Sequence, residues 1–435
     1  MKIAHITPSS GDTFYCENCQ RDIALVTAMR KMEHEILLLP MYLPLNADEK
    51  EVVSSSPIFF GGINVFLQQK LSVFRKTPRW LDKIFDNPAL LRWAGRRAGM
   101  TSAKDLAETT MSMLKGNHGR QVKELNRLVD WLAQDENKPD IVTLSNVLLI
   151  GLAKPIKEKL GVPVLCLLQD EDGFIDGLGH PYAQQSWEII TELAKEIDLF
   201  ISVSKYYSDV MQDKLSLERE LLEVVRMGIA LDNYTHRETL PEVPTIGYLS
   251  RMCSDRGLDT LVDAFIILKK NPKLKNTKLR ISGGATGNDT EFVNSLKQRL
   301  GSAGFINDVE FLPDFSKKNR LEFLHSLSVI SVPEKQPVAY GLYVLEALAS
   351  GVPVVEPAFG VFPELIELTK GGVLYNDNNA HSLAKAMEPL LLDPNYAHEL
   401  GKKGRDAVIK TLDVEINARE LIKIYERIVL KKQGG

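Results

Sequence analysis

Short apolar runs alternate with stretches whose apolar positions recur every three or four residues, and the alternation persists along almost the whole chain. KIAHITP is followed by RDIALVTAMRKM and then HEILLLPMY; DIVTLSN is followed by LLIGLAKPIKEKL and then VPVLCLLQ, and DLFISVS closes this half. The runs are apolar on both faces and the stretches between them are amphipathic, which predicts parallel strands covered by helices. The same grammar restarts at TIGYLSR: LDTLVDAFIILKK, KLRISG, DTEFVNSLKQRLGSAG, VEFLP, KKNRLEFLHSL, VISVP, a glycine-led apolar helix, VPVVEP and VFPELIEL. At 435 residues the chain exceeds what one hydrophobic core serves. The join near VVRMGIALDNYTHRETLPEVP therefore predicts two doubly wound, Rossmann-like domains facing a cleft, with ligands at the carboxyl ends of the strands.

One region departs from this grammar. From about 47 to 138 the pattern is helical with little strand signal, which predicts a helical insert in the N-terminal domain. Within it stand eight basic residues (Lys70, Arg75, Lys76, Arg79, Lys83, Arg92, Arg96 and Arg97) against Asp82 and Asp86, with Phe74, Trp80, Phe85 and Trp93 interleaved. Such a stretch suits a helical hairpin with aromatics inward and charges in water. It equally suits a patch that rests on an anionic membrane or a lipid-linked acceptor. No nucleic-acid reader motif accompanies it.

Composition narrows the classes. A net charge of −4 gives no global attraction to nucleic acid, so any basic site is local. Four cysteines in so long a chain argue against a disulfide scaffold and for a reducing compartment. Met1 leads straight into KIAHITP, which reads as a strand, and no apolar run reaches membrane-spanning length. The expectation is a cytoplasmic protein, possible contact with the inner face of the membrane included.

Three features carry chemistry. In YGLYVLEALA, Gly341 at a loop-to-helix junction lets backbone N–H groups approach a phosphate, and Leu342 and Tyr343 begin the helix. One turn further, Glu346 can accept hydrogen bonds from a pair of sugar hydroxyls. Phosphate beside sugar hydroxyls is what a nucleotide presents. A glutamate on the wet side of an amphipathic helix would look alike in isolation, but Leu345, Ala347, Leu348 and Ala349 surround this one, and a buried carboxylate needs partners. In YLSRMCSDRG, Arg251 ends a strand and Arg256 opens the next helix, so two guanidinium forks could clamp a diphosphate. The turn SGGATGND, with Gly283, is a further, weaker phosphate-loop signal.

Together these features resemble the C-terminal half of the retaining glycosyltransferases of family 4: strand, Arg, basic-Gly; strand, Gly-Gly; then Y-G-L-x-x-L-E-A-x-A-x-G-x-P-V-V. The N-terminal segments KIAHITP, KPDIVTLSN, DLFISVSKYYSDVM and VVRMGI follow the pattern as well, so the resemblance spans most of the chain. It implies an α/β GT-B fold. Residues 1–235 would form the acceptor-side domain together with a return helix at about 416–435, and 236–415 the nucleotide-sugar domain. It implies transfer of a sugar from a nucleotide diphosphate, a UDP- or GDP-sugar, to a glycan or lipid-linked acceptor of the bacterial cell envelope. The anomeric configuration would be retained, with no bound cofactor and no metal. Arg251 and Arg256 would hold the diphosphate, Glu346 the ribose, and Gly341, Leu342, Tyr343 and Gly283 the phosphate or sugar.

The chain departs from the family pattern at four places. Val338 stands where the family has the first glutamate of Glu, seven residues, Glu. Cys16-Glu17 replaces a Gly-Gly pair, Gln169 replaces a histidine that contacts the donor sugar, and Arg256 stands for a lysine. The loops YCENCQRD and QDED resemble those of a bacterial subgroup, in which Glu17, Asn18 and Arg21 would line the acceptor loop. Gln169, Asp170 and Asp172 would be the catalytic-side groups, and Glu334 a further candidate carboxylate. Asp170-Glu171-Asp172 also spells a D-x-D, and Cys16-x-x-Cys19 invites a zinc or redox reading that lacks a second ligand pair. The alternative to transfer is a degenerate member that binds a nucleotide sugar or glycan without turnover.

Overall fold

The computed structural model describes residues 1–8, 17–41, 59–75, 77, 103–235, 241–312 and 316–434. Most of the basic-aromatic stretch, including Trp80, Phe85 and Trp93, lies outside these residues, as does Cys16. The chain divides into two compact units: Met1–Asp12, Asn18–Arg226 and Asn417–Gly435 form the first, and Thr13–Glu17 with Met227–Ile416 the second.

The first unit is built on a six-stranded sheet: β1 (Lys2–Pro8), β2 (Glu35–Met41), β3 (Ile141–Leu144), β4 (Val164–Leu168), β5 (Leu199–Ser202) and β6 (Leu222–Val224). Their order is β2-β1-β3-β4-β5-β6, with every pair parallel. Every residue of β3, β4 and β5 is buried, which is why these strands read as continuous apolar runs rather than alternating ones. Helix α1 (Glu17–Lys31) connects β1 to β2. Helix α2 (Lys205–Leu215) begins at Ser204, whose side chain accepts the Tyr207 N–H and closes the first turn. The helical pattern of the insert is realised at Gly62–Lys70, Ala103–Leu114 and Val122–Leu132.

The second unit repeats the plan with β7 (Thr245–Leu249), β8 (Lys278–Ser282), β9 (Val309–Leu312), β10 (Val329–Ile330), β11 (Val354–Pro357) and β12 (Gly372–Tyr375). They lie in the order β12-β11-β10-β7-β8-β9, again all parallel. Helix α3 (Leu258–Leu268) follows β7, and α4 (Leu342–Ala349), with all its residues buried, lies between β10 and β11. The final helix α5 (Val414–Gln433) ends in the first unit, where Thr143 Oγ1 of β3 donates to Tyr425 Oη at 2.9 Å.

Candidate functional site

In the second unit the residues singled out from the sequence gather at the carboxyl ends of neighbouring strands. Arg251 follows β7 and Gly283 follows β8, its hydrogen-bonded neighbour. Gly283 adopts φ +124°, and a Cβ there would stand 2.1 Å from the Ser250 carbonyl oxygen, so only glycine lets the two strand ends pass this closely. The Gly284 carbonyl accepts the Met252 N–H at 2.9 Å, stitching the two turns together. Arg251 is held by Asp289 in a two-pronged pair, Nε to Oδ2 at 2.9 Å and Nη2 to Oδ1 at 3.0 Å, and Nη2 also reaches Thr286 Oγ1. Burial alone would push the Asp289 carboxyl up, but Arg251 and the Thr286 donors hold it below the usual carboxylate range.

Arg256 closes the same turn. Its Nη1 donates to Glu334 Oε1 at 2.8 Å; the guanidinium side chain is 36% exposed, whereas Glu334 is 5% exposed. Gly257 follows in the left-handed region at φ +65°, and a Cβ on it would stand 1.8 Å from the Pro333 carbonyl oxygen. The turn after β7 and the loop after β10 therefore lie in direct backbone contact.

Gly341 is the N-cap of α4 in extended conformation. Leu342, Tyr343 and Glu346 are buried with the rest of the helix. Glu346 Oε1 accepts from Arg320 Nε at 3.0 Å, with side chains 2% and 4% exposed, and from the Tyr234 hydroxyl. Arg320 and Tyr234 escaped the sequence reading, although a signal existed. Arg320 shares a helix face with the buried Phe323 and Leu324 at i, i+3 and i+4, and a cation on an apolar stripe implies a buried anion. Val338 is buried, and its carbonyl accepts the Val361 N–H at 3.0 Å.

A second buried acid near α4 was also missed. Glu356, inside the apolar run VPVVEP, is fully buried, and among the described residues neither carboxylate oxygen is in hydrogen-bond geometry with a partner. Burial pushes its carboxyl well above the usual range, and the charge of Glu334 pushes the same way.

In the first unit the polar groups converge on the ends of β1, β3 and β4. Arg21 of α1 donates through Nε and Nη2 to Asp22 Oδ1, and Thr7 Oγ1 donates to Asp22 Oδ2 at 2.5 Å. Burial would raise the Asp22 carboxyl, but Arg21 and His5 hold it well below its ordinary value. Gln169 Nε2 donates to the Ser145 carbonyl at 2.5 Å and to Ser145 Oγ at 2.9 Å, and Arg21 Nη2 approaches the same carbonyl at 3.4 Å. Among the described residues, the buried Arg21 Nη1, Gln169 Oε1, Asn18 Oδ1 and Asn146 Oδ1 have no hydrogen-bond partner. Glu17 is the first residue of α1.

The acidic turn after β4 divides its labour. Asp170 takes a left-handed conformation at φ 72° and Asp172 is half-buried, while the buried carboxylate is Glu171 between them. Glu171 accepts from the Val147 N–H at 2.9 Å, the Gln169 N–H at 2.6 Å and the Tyr207 hydroxyl at 2.9 Å. Burial outweighs these donors and pushes its carboxyl up to about 7. Among the described residues no group of three or more His, Cys, Asp or Glu side chains could hold a metal ion. No helix of the described residues is long and apolar enough to cross a membrane.

Residues 235–407 match the family model described as Glycosyl transferases group 1. The stretch contains Arg251, Arg256, Gly283 and the whole of α4. The chain is 29% identical over 179 residues to the GDP-mannose-dependent alpha-(1-6)-phosphatidylinositol monomannoside mannosyltransferase of Mycobacterium tuberculosis, covering 40% of this chain and 44% of that protein. The chain spans about half or less of the length of the first curated relatives it matches, 53%, 35% and 44%. Among solved structures, the sucrose-phosphate synthase of Thermosynechococcus elongatus superposes with a TM-score of 0.72 at 17% identity, covering 99% of each chain. HepE of Anabaena in complex with UDP and glucose superposes with a TM-score of 0.70 at 15% identity, covering 98% of this chain and 99% of that one. At these identities the likeness shows the fold, which is α/β GT-B.

Proposed function

We propose that the protein transfers a sugar from a nucleotide diphosphate donor to a saccharide or lipid-linked acceptor, with retention of configuration. The observation that carries the reading is that Arg251, Gly283, Arg256 and the α4 N-terminus follow the carboxyl ends of β7, β8 and β10, neighbouring strands of a sheet inside the stretch that matches group 1 glycosyl transferases. In this reading Arg251 and Arg256 bind the diphosphate, Glu346 the ribose, and Gly341, Leu342, Tyr343 and Gly283 the phosphate or sugar. Glu17, Asn18 and Arg21 line the acceptor loop, and Gln169, Asp170 and Asp172 orient the acceptor hydroxyl. A relative named for GDP-mannose and a neighbour holding UDP support a GDP- or UDP-sugar as donor.

Val338 cannot accept a proton, so the departing phosphate serves as base for the acceptor hydroxyl, and the arginine pair stabilises the charge that develops on it. Binding without turnover is the less favoured reading, because the matched relatives are named as transferases and synthases. The exposed Lys70, Leu71 and Val73 support contact of the insert with an anionic membrane at its cytoplasmic face. Incubation with a panel of UDP-, GDP- and ADP-sugars tests the proposal: diphosphate release should appear with at least one donor, and Arg256→Gln should suppress it. Absence of both binding and release across the panel would refute it.

A further inference from the structure

The loop after β10 does more than pass the turn after β7; it is laced to it. The Lys335 N–H donates to the Asp255 carbonyl at 3.1 Å, and Lys335 Nζ reaches Ser254 Oγ at 2.9 Å and Asp259 Oδ2 at 2.8 Å. Between these ties and the Pro333–Gly257 contact, the Glu334 carboxylate is delivered onto Arg256. Glu334 is almost wholly buried while Arg256 keeps a third of its side chain in water, so an anion arriving from solvent meets the arginine with the carboxylate already behind it.

We infer that Glu334 is an internal counter-anion that competes with the donor diphosphate for Arg256, and so sets how tightly the nucleotide is held and how fast the spent diphosphate leaves. This rests on the reading that Arg256 binds the diphosphate. A carboxylate occupying one edge of the guanidinium fork reduces its pull on phosphate in two ways. It neutralises the charge, and it takes up N–H directions that a phosphate would otherwise use. The same competition acts after transfer, when the leaving diphosphate must be released, and differences of this kind fall mainly on the dissociation rate. Arg251 has the analogous partner in Asp289, where both prongs and Thr286 hold the guanidinium; Arg256 meets Glu334 through Nη1 at 2.8 Å.

The test is calorimetric titration of the full chain with UDP and with GDP, for wild type, Glu334→Gln, Arg256→Gln and the double variant, each checked for an intact thermal transition. For the nucleotide that binds, Glu334→Gln should tighten the diphosphate roughly three- to tenfold and slow its dissociation, the range expected for a half-exposed charge pair. In the Arg256→Gln background the same substitution should bring no gain. If Glu334→Gln melts early, Glu334→Ala takes its place in the same cycle. An unchanged or weaker affinity of the folded Glu334 variant overturns the inference, as does an equal gain with and without Arg256, which would mark a diffuse charge effect. Neither result touches the proposed function, which fails instead if wild type binds neither diphosphate or if Arg256→Gln leaves binding unchanged.

Discussion

Glu346 and Arg320 form a buried ion pair, and such pairs are far costlier to break than to replace. Arg320→Ala would strand an uncompensated carboxylate inside the second unit and should cost about 3–5 kcal/mol in denaturant unfolding. Tyr234→Phe removes only one donor to Glu346 and should cost nearer 1–2 kcal/mol. Glu356 makes a prediction of opposite sign. Its folded carboxyl titrates well above the unfolded value near 4.3, so below that value both states are protonated and nothing is lost. Above it the unfolded chain ionises while the folded one stays neutral, and stability falls as pH rises toward the folded pKa. Glu356→Gln abolishes this loss. The variant should match wild type near pH 4 and melt higher at pH 7 to 8, and an equal melting temperature across that range would contradict the assignment.

At the scale of elements, the chemistry depends on where turns touch. Gly257 caps α3 in a left-handed conformation with the Pro333 carbonyl directly above it. Gly257→Ala should therefore destabilise the protein by roughly 2–4 kcal/mol, combining backbone strain with a clash, and weaken diphosphate binding by displacing Arg256. Melting and titration on the same sample check both halves. Elements differ in how readable they were. The long helices and the apolar strands β3, β4, β5 and β7 stand out because burial on both faces writes itself as apolar sequence. β6, with three residues, and β12, opening on Gly372 just after Gly371 and the left-handed Lys370, are too short or too irregular to carry a pattern. The candidate site was legible as residue types at strand ends, because the arginines, glycines and Glu346 sit at points where the pattern changes period. Their partners were not. Asp289, Glu334 and Tyr234 come from other loops, and sequence distance hides which loops the sheet order brings together; Arg320 and Glu356 betray themselves only as charges on apolar stripes.

At the scale of the whole molecule, the GT-B plan appears in the two six-stranded parallel sheets, each with its own covering of helices. The final helix is integral to the first unit. Ala418, Leu421, Ile422 and Tyr425 are buried, and at about 1.5–3 kcal/mol for each large side chain their loss is comparable with the net stability of a domain. Deletion of 417–435 should therefore abolish the cooperative unfolding transition of the first unit, read by far-UV circular dichroism on heating. Tyr425→Phe, which removes only the bond from Thr143, should cost about 1 kcal/mol.

The central claim is that the strand ends carrying Arg251, Arg256 and α4 hold a nucleotide diphosphate sugar for transfer. Thermal melting of wild type, Arg251→Gln and Arg256→Gln against UDP-, GDP- and ADP-sugars tests it most directly, since a ligand bound only by the folded chain raises its melting temperature. At least one donor should shift wild type by several degrees, roughly the effect of 2–3 kcal/mol at a hundredfold excess over Kd, with the shift lost or sharply reduced in both variants. A shift that survives both substitutions, or no shift with any donor, would contradict it.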